Sequence, residues 1–186
     1  DVNNDGKYTA DKDRKIIGYS DPAYRFSIQN SFRYKNWEFK FMINSVQGGK
    51  NYYYGQPGKD LANPDNIYQN NLFNFDYWTP ENPNSNIPAA TNSSSNLVIS
   101  SRVVEDASFL RLKTVTLGYT VPKTFLKKYK IDNARLYVAA QNLWTITGYS
   151  GYDPEVSIRS GGLTPGLDFS SYPRALSVSF GINLGF

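Results

Sequence analysis

The sequence predicts an all-β chain: the C-terminal antiparallel strands of a large transmembrane β-barrel, with long extracellular loops and short periplasmic turns. Three observations carry this. Five stretches alternate apolar and polar residues with period two. Short and long connections take turns between them, as in outer-membrane barrels. The last stretch alternates without a break and finishes on Phe186.

The strands are expected at about 25–34, 37–47, 108–120, 134–144 and 175–186. In the first, Phe26, Ile28, Phe32 and Tyr34 share one side, and Ser27, Gln29, Ser31 and Arg33 the other. Lys35-Asn36 is a very short connection to the second, where Trp37, Phe39, Phe41 and Ile43 alternate with Glu38, Lys40 and Asn44. The third carries Val115, Leu117 and Tyr119 on one side. Its earlier half breaks phase at Leu110 and Leu112; a bulge near Lys113-Thr114 would reconcile the halves, and so would the crossing of a sheet rim. A helical turn starting at Pro122 leads to the fourth, with Leu136, Val138, Ala140 and Trp144 aligned. The fifth sets Leu176, Val178, Phe180, Ile182, Leu184 and Phe186 against Ser177, Ser179, Gly181, Asn183 and Gly185. In such a barrel the apolar side meets lipid and the polar side a wet lumen. A terminal Phe on an alternating strand is also what outer-membrane assembly machinery recognises.

Composition narrows the chemistry. The 186 residues hold no Cys and no His, which excludes disulfides, thiol nucleophiles, zinc knuckles and His-based triads. Charged residues are only 19% and aromatics 16%, so neither a disordered chain nor a coiled coil is expected. The net charge of +4 is scattered, with no basic stripe for nucleic acid. No run approaches the roughly 18 apolar residues of a membrane helix. Five strands are too few for a closed barrel, where about eight is the minimum. An open edge in hydrocarbon would strand N–H and C=O groups at several kcal/mol each. The chain also opens without Met or leader inside an Asp/Asn/Gly loop, and is expected to be a piece of something longer, its plug and earlier strands lying elsewhere.

Four motifs bear on function. Asp1-x-Asn3-x-Asp5-Gly6 has the spacing of an EF-hand-type calcium loop, with carboxylate and amide oxygens converging and Gly permitting the sharp turn. Lys7 would add its backbone carbonyl. The twelfth position is Lys12, so Asp13, one residue on, is the expected final ligand of a calcium ion; a metal-free polar turn is the plainer reading. In the long loops, Tyr77, Trp78, Tyr149 and Tyr152 are candidate substrate-binding residues, because flat rings stack on sugars and nearby asparagines supply hydrogen bonds. The plainer reading is loop packing or an interfacial girdle. Asp153 and Glu155 suggest an acid pair, but Asp153 capping the turn before Pro154 is simpler. Arg111 and Lys113 have to face the lumen or rim. No catalytic residue is expected, and the chain is not read as an enzyme.

Several segments resemble the SusC-like (RagA-like) TonB-dependent transporters of Bacteroidetes outer membranes. They are Asp1 to Gly6 with Asp13-Arg14 and Ile17-Gly18, Ala107 to Tyr119, Arg135-Leu-Tyr-Val with Ala140-Gln-Asn-Leu143, Gly148 to Glu155, and Tyr172-Pro173-Arg174. The resemblance covers nearly the whole chain in the family's order. It implies the end of a barrel of roughly 22 strands around a plug. It further implies a SusD-like surface lipoprotein partner, the TonB complex acting through the absent N-terminal part, and an oligosaccharide or peptide substrate. The competing expectation is a secreted soluble β-sandwich that binds carbohydrate and carries a calcium loop.

Overall fold

A computed structural model describes residues 2–7, 9, 11–53, 78–85, 89, 101–155, 166–168 and 171–186. They are almost entirely strand and loop, and divide into two compact units.

One unit comprises Pro22–Gly48, Ala107–Tyr149 and Pro173–Phe186. It is a five-stranded sheet of β1 (Tyr24–Tyr34), β2 (Trp37–Gln47), β5 (Phe109–Thr120), β6 (Asn133–Thr147) and β8 (Ser177–Gly185), in that spatial order. Every neighbouring pair is antiparallel. Strands of 11 residues, at roughly 3.3 Å per residue and a tilt near 40°, rise about 28 Å, enough for a hydrocarbon core.

The register turns the period-two pattern into two surfaces. One row across the sheet reads Tyr34, Trp37, Tyr119, Leu136, Ile182, and another Phe32, Phe39, Leu117, Val138, Phe180. The row between them, on the opposite face, reads Arg33, Glu38, Gly118, Tyr137, Gly181. The apolar surface is open: Phe32, Leu136, Ile182 and Leu184 are all exposed, and Phe180 is 84% exposed. Its aromatics pack on one another: the Phe32 and Phe39 rings stack with centroids 6.5 Å apart, and Trp37 and Tyr119 meet at a tilt with centroids 4.7 Å apart. In water each such side chain forgoes roughly 1.5–3 kcal/mol of burial, so a continuous apolar face of this kind is a surface built for a nonpolar neighbour.

The phase break in the third expected strand is a bulge. The pairing of β5 with β6 shifts register between Leu112 and Thr114, and β2 shifts against β5 between Met42 and Ile43. This lets Leu112 share a face with Ile43 while Val115 stays opposite Phe41. The fourth strand runs on to Thr147, three residues past its expected end.

Both short connections differ in detail from simple turns. Lys35 adopts the left-handed conformation (φ 51°), and the Asn36 carbonyl accepts the Thr120 N–H at 2.9 Å. After β5, Pro122 lies one position before helix α1 (Lys123–Leu126) rather than at its first residue, because its ψ of 137° is extended. Its carbonyl accepts the Phe125 N–H, and a 3-10 turn over Lys127–Tyr129 ends at left-handed Lys130. Leu126 is buried there, whereas Phe125 and Tyr129 point outward among the lysines.

The other unit comprises Asp1–Asp21, Gly49–Asp106 and Ser150–Tyr172. A three-stranded sheet orders β4 (Val104–Asp106), β3 (Lys50–Tyr53) and β7 (Leu167–Asp168), antiparallel then parallel. Lys50 ion-pairs with Asp106 at 3.0 Å, and Asn51 Nδ2 donates to the Pro154 carbonyl at 3.0 Å. Gly166 (φ 75°) allows the close parallel approach, since a Cβ there would stand 2.8 Å from the Lys50 carbonyl oxygen.

Candidate functional site

The Asp/Asn/Gly loop folds on its own oxygens. Asn3 Oδ1 accepts the Asp5 N–H at 3.2 Å, Asp5 Oδ1 accepts the Lys7 N–H at 2.9 Å, and Asn3 Nδ2 donates to Asp5 Oδ2 at 2.9 Å. Asn4 and Gly6 both have positive φ, the reversal that the glycine was expected to permit. Asp13 closes the loop: it accepts the Val2 N–H at 2.8 Å, and both the N–H and the hydroxyl of Thr9. These backbone donors, Thr9 first and then Val2, hold its carboxyl below the usual carboxylate value of 3.8. The donor set is all oxygen, which suits calcium. Yet the carboxylates are turned toward N–H groups, and among the described residues no three His, Cys, Asp or Glu converge. Asp1 lies outside the described residues.

The aromatic candidates separate by exposure. Tyr152 is 70% and Trp78 is 42% exposed, so each offers a ring face. Trp78 precedes a small turn in which the Asn82 N–H bonds the Thr79 carbonyl at 2.9 Å. Tyr149 is only 5% exposed and has no open face for stacking, while its N–H donates to Thr147 Oγ1. Tyr77 lies outside the described residues.

Asp153 caps a turn. It is buried and accepts the Glu155 N–H at 2.9 Å, in the manner of an Asx turn. Arg111 lies on the polar face opposite Asn44, but it is buried rather than solvated. Its Nε donates to Thr145 Oγ1 at 2.9 Å and its guanidinium lies 5.1 Å from the Phe109 ring centre.

A cluster that the linear sequence does not advertise forms at the short-turn end of the polar face. Glu38 Oε1 accepts from Arg33 Nε at 2.9 Å and Nη2 at 2.8 Å, and from Lys40 Nζ at 3.1 Å. Its Oε2 accepts from Arg135 Nη2, 97 residues away. Arg135 reaches across because position 118 between them is glycine. With Lys35, Asn36 and Thr120 these residues line an open concavity of about 520 Å³. The signal was the charged parity of 33, 38 and 40. The partner at 135 needed the register.

No protein-family model matches the chain. Curated proteins do. It is 35% identical over 181 residues to TonB-dependent receptor P3 of Formosa agariphila, covering 94% of this chain and 17% of that protein. It is 30% identical over 188 residues to TonB-dependent receptor SusC of Bacteroides thetaiotaomicron, covering all of this chain and 17% of SusC. By sequence and fold, the chain is similar to the SusC/RagA-like TonB-dependent receptors over nearly its whole length. Two solved structures agree on the fold: the RagAB peptide transporter (TM-score 0.74) and the RagAB peptide importer in its open-open state (TM-score 0.72). Each is 25% identical, and each comparison covers 97% of this chain and 19% of the other. This SusC/RagA-like chain thus spans less than a fifth of the curated relatives' length.

Proposed function

We propose that the five-stranded sheet is part of the wall of an outer-membrane, TonB-dependent importer, and that the intact protein takes up oligosaccharides or peptides. The observation that carries this reading is the open apolar face, continuous across all five strands and backed by a polar face. A soluble sandwich would cover such a face, whereas a barrel wall leaves it to lipid. The sheet ends at β1 and β8, whose outer edges require further strands in hydrocarbon. Matches to SusC and to RagAB along the whole chain support the same class.

On this reading a SusD-like surface lipoprotein and the TonB complex are the partners. Function is binding and transport with no covalent step. Trp78 and Tyr152 are the ring faces offered to substrate. Calcium held by Asn3, Asp5, the Lys7 carbonyl, Asp13 and Asp1 would brace the first loop. Fractionation tests the class: the full-length protein is expected in the detergent-extracted outer membrane. Recovery in the soluble fraction without detergent would sink the reading.

A further inference from the structure

We infer that the concavity at the short-turn end of the polar face is a carboxylate-binding site, formed by Arg33, Lys35, Lys40 and Arg135 around Glu38. The inference rests on the barrel reading, which makes this face the wall of a wet interior.

Four cations surround a single carboxylate. Glu38 has already spent both oxygens on Arg33, Lys40 and Arg135. Among the described residues none of these cations has another acidic partner. Among those residues the Lys35 ammonium meets only the Tyr34 ring, 5.3 Å from its centre. Arg33 uses Nε and Nη2 on one oxygen, and Arg135 uses only Nη2, so N–H donors of both guanidiniums remain to be filled. The cluster therefore holds a surplus of positive charge in a concavity of about 520 Å³, far larger than one water.

Such a surplus repels itself unless an anion enters. Planar guanidinium forks match the two oxygens of a carboxylate, and the neighbouring ammonium groups add point charge. Two sources can supply that group: the carboxylate of an acidic cargo, or an Asp or Glu from a part of the intact protein outside these residues. The chemistry is the same for both.

The test uses the full-length transporter extracted from the outer membrane, so that failure of the barrel reading would already be apparent at extraction. Thermal midpoints are measured for wild type and Lys35→Gln, with succinate or with chloride at matched ionic strength. Lys35 sits in an exposed turn and lies outside the Glu38 hydrogen bonds, so the variant is expected to fold. If succinate raises the wild-type midpoint beyond chloride and the variant loses at least half of that shift, the site takes a free carboxylate. If succinate does nothing and Lys35→Gln lowers the midpoint by about 2 °C, a carboxylate of the intact chain already fills it. Removing one of several uncompensated like charges should instead leave the midpoint unchanged or raise it. That sign without a succinate response, or a succinate response that survives the substitution, overturns the proposal.

Discussion

Gly118 lies directly beneath the guanidinium of Arg135. A Cβ at position 118 would stand 2.8 Å from Nη2 and 3.1 Å from Nε. The missing side chain is the path by which Arg135 crosses β5 to reach Glu38 on β2. Gly118→Ala should therefore act as a partial deletion of the ion pair. Because the pair is partly exposed and screened by solvent, its loss should destabilise the protein only modestly. A double-mutant cycle in denaturant melts of the full-length protein checks this: Gly118→Ala should cost little once Arg135→Gln is present. Additive costs would remove the coupling.

The same device recurs one strand on. A Cβ at Gly181 would collide with the Tyr137 ring, and one at Gly185 with the Asn133 side chain. Gly181→Val forces the ring off its seat and should cost roughly 1–3 kcal/mol by overpacking. Tyr137→Phe, which keeps the ring, should be nearly neutral. The yield of folded protein in the outer membrane and its unfolding midpoint report both. Equal losses for the two variants would point to the phenol hydroxyl instead.

The Asp13 closure makes the first loop sensitive to acid. A carboxyl held below its ordinary 3.8 adds stability that is fully present above that value and is lost as pH falls through the lowered one. Amide exchange at Val2 and Thr9 should thus be protected at neutral pH and accelerate below about pH 4 relative to neighbouring amides. Asp13→Asn should weaken protection at neutral pH and flatten the dependence. A profile that Asp13→Asn leaves unchanged would assign closure to other groups.

Calcium binding should depend on Asp5. Calorimetric titration of the intact protein is expected to give heat that disappears in Asp5→Ala, and chelation should lower the unfolding midpoint. Unchanged heats would take this loop out of the account. A metal-free role for Asp5 would leave no heat at all.

The aromatic candidates make contrasting predictions. Trp78→Ala and Tyr152→Ala should reduce ligand binding and uptake several-fold with little change in the unfolding midpoint, because both rings are exposed. Tyr149→Ala should do the reverse, costing roughly 3 kcal/mol of stability, because its ring is buried. Uptake that is indifferent to Trp78 and Tyr152 would move the substrate contacts elsewhere.

The two-faced strands were readable in the linear sequence because period two is a local property: each residue's parity fixes its side once one neighbour is placed. Phe32 against Arg33 and Phe180 against Gly181 needed no contact to be sorted. The bulge near Lys113 was readable for the same reason, as a slip in parity between Leu112 and Val115. So was the Asp153 cap, which spans two residues.

Contacts distant along the chain were not readable. Period two sets Arg111 on the lumen or rim side, but its burial depends on packing with Phe109 and Thr145 that period two cannot express. Tyr149 looked like its neighbour Tyr152 until the fold buried one ring and exposed the other. Gly118 looked like an ordinary strand glycine. Only the register sets it opposite Glu38 and within reach of the Arg135 side chain, so that an absent side chain becomes the passage for a distant one. Parity assigns a face from the residue alone. Which side chains meet on that face depends on strand order and stagger, set by hydrogen bonds between segments far apart in the chain.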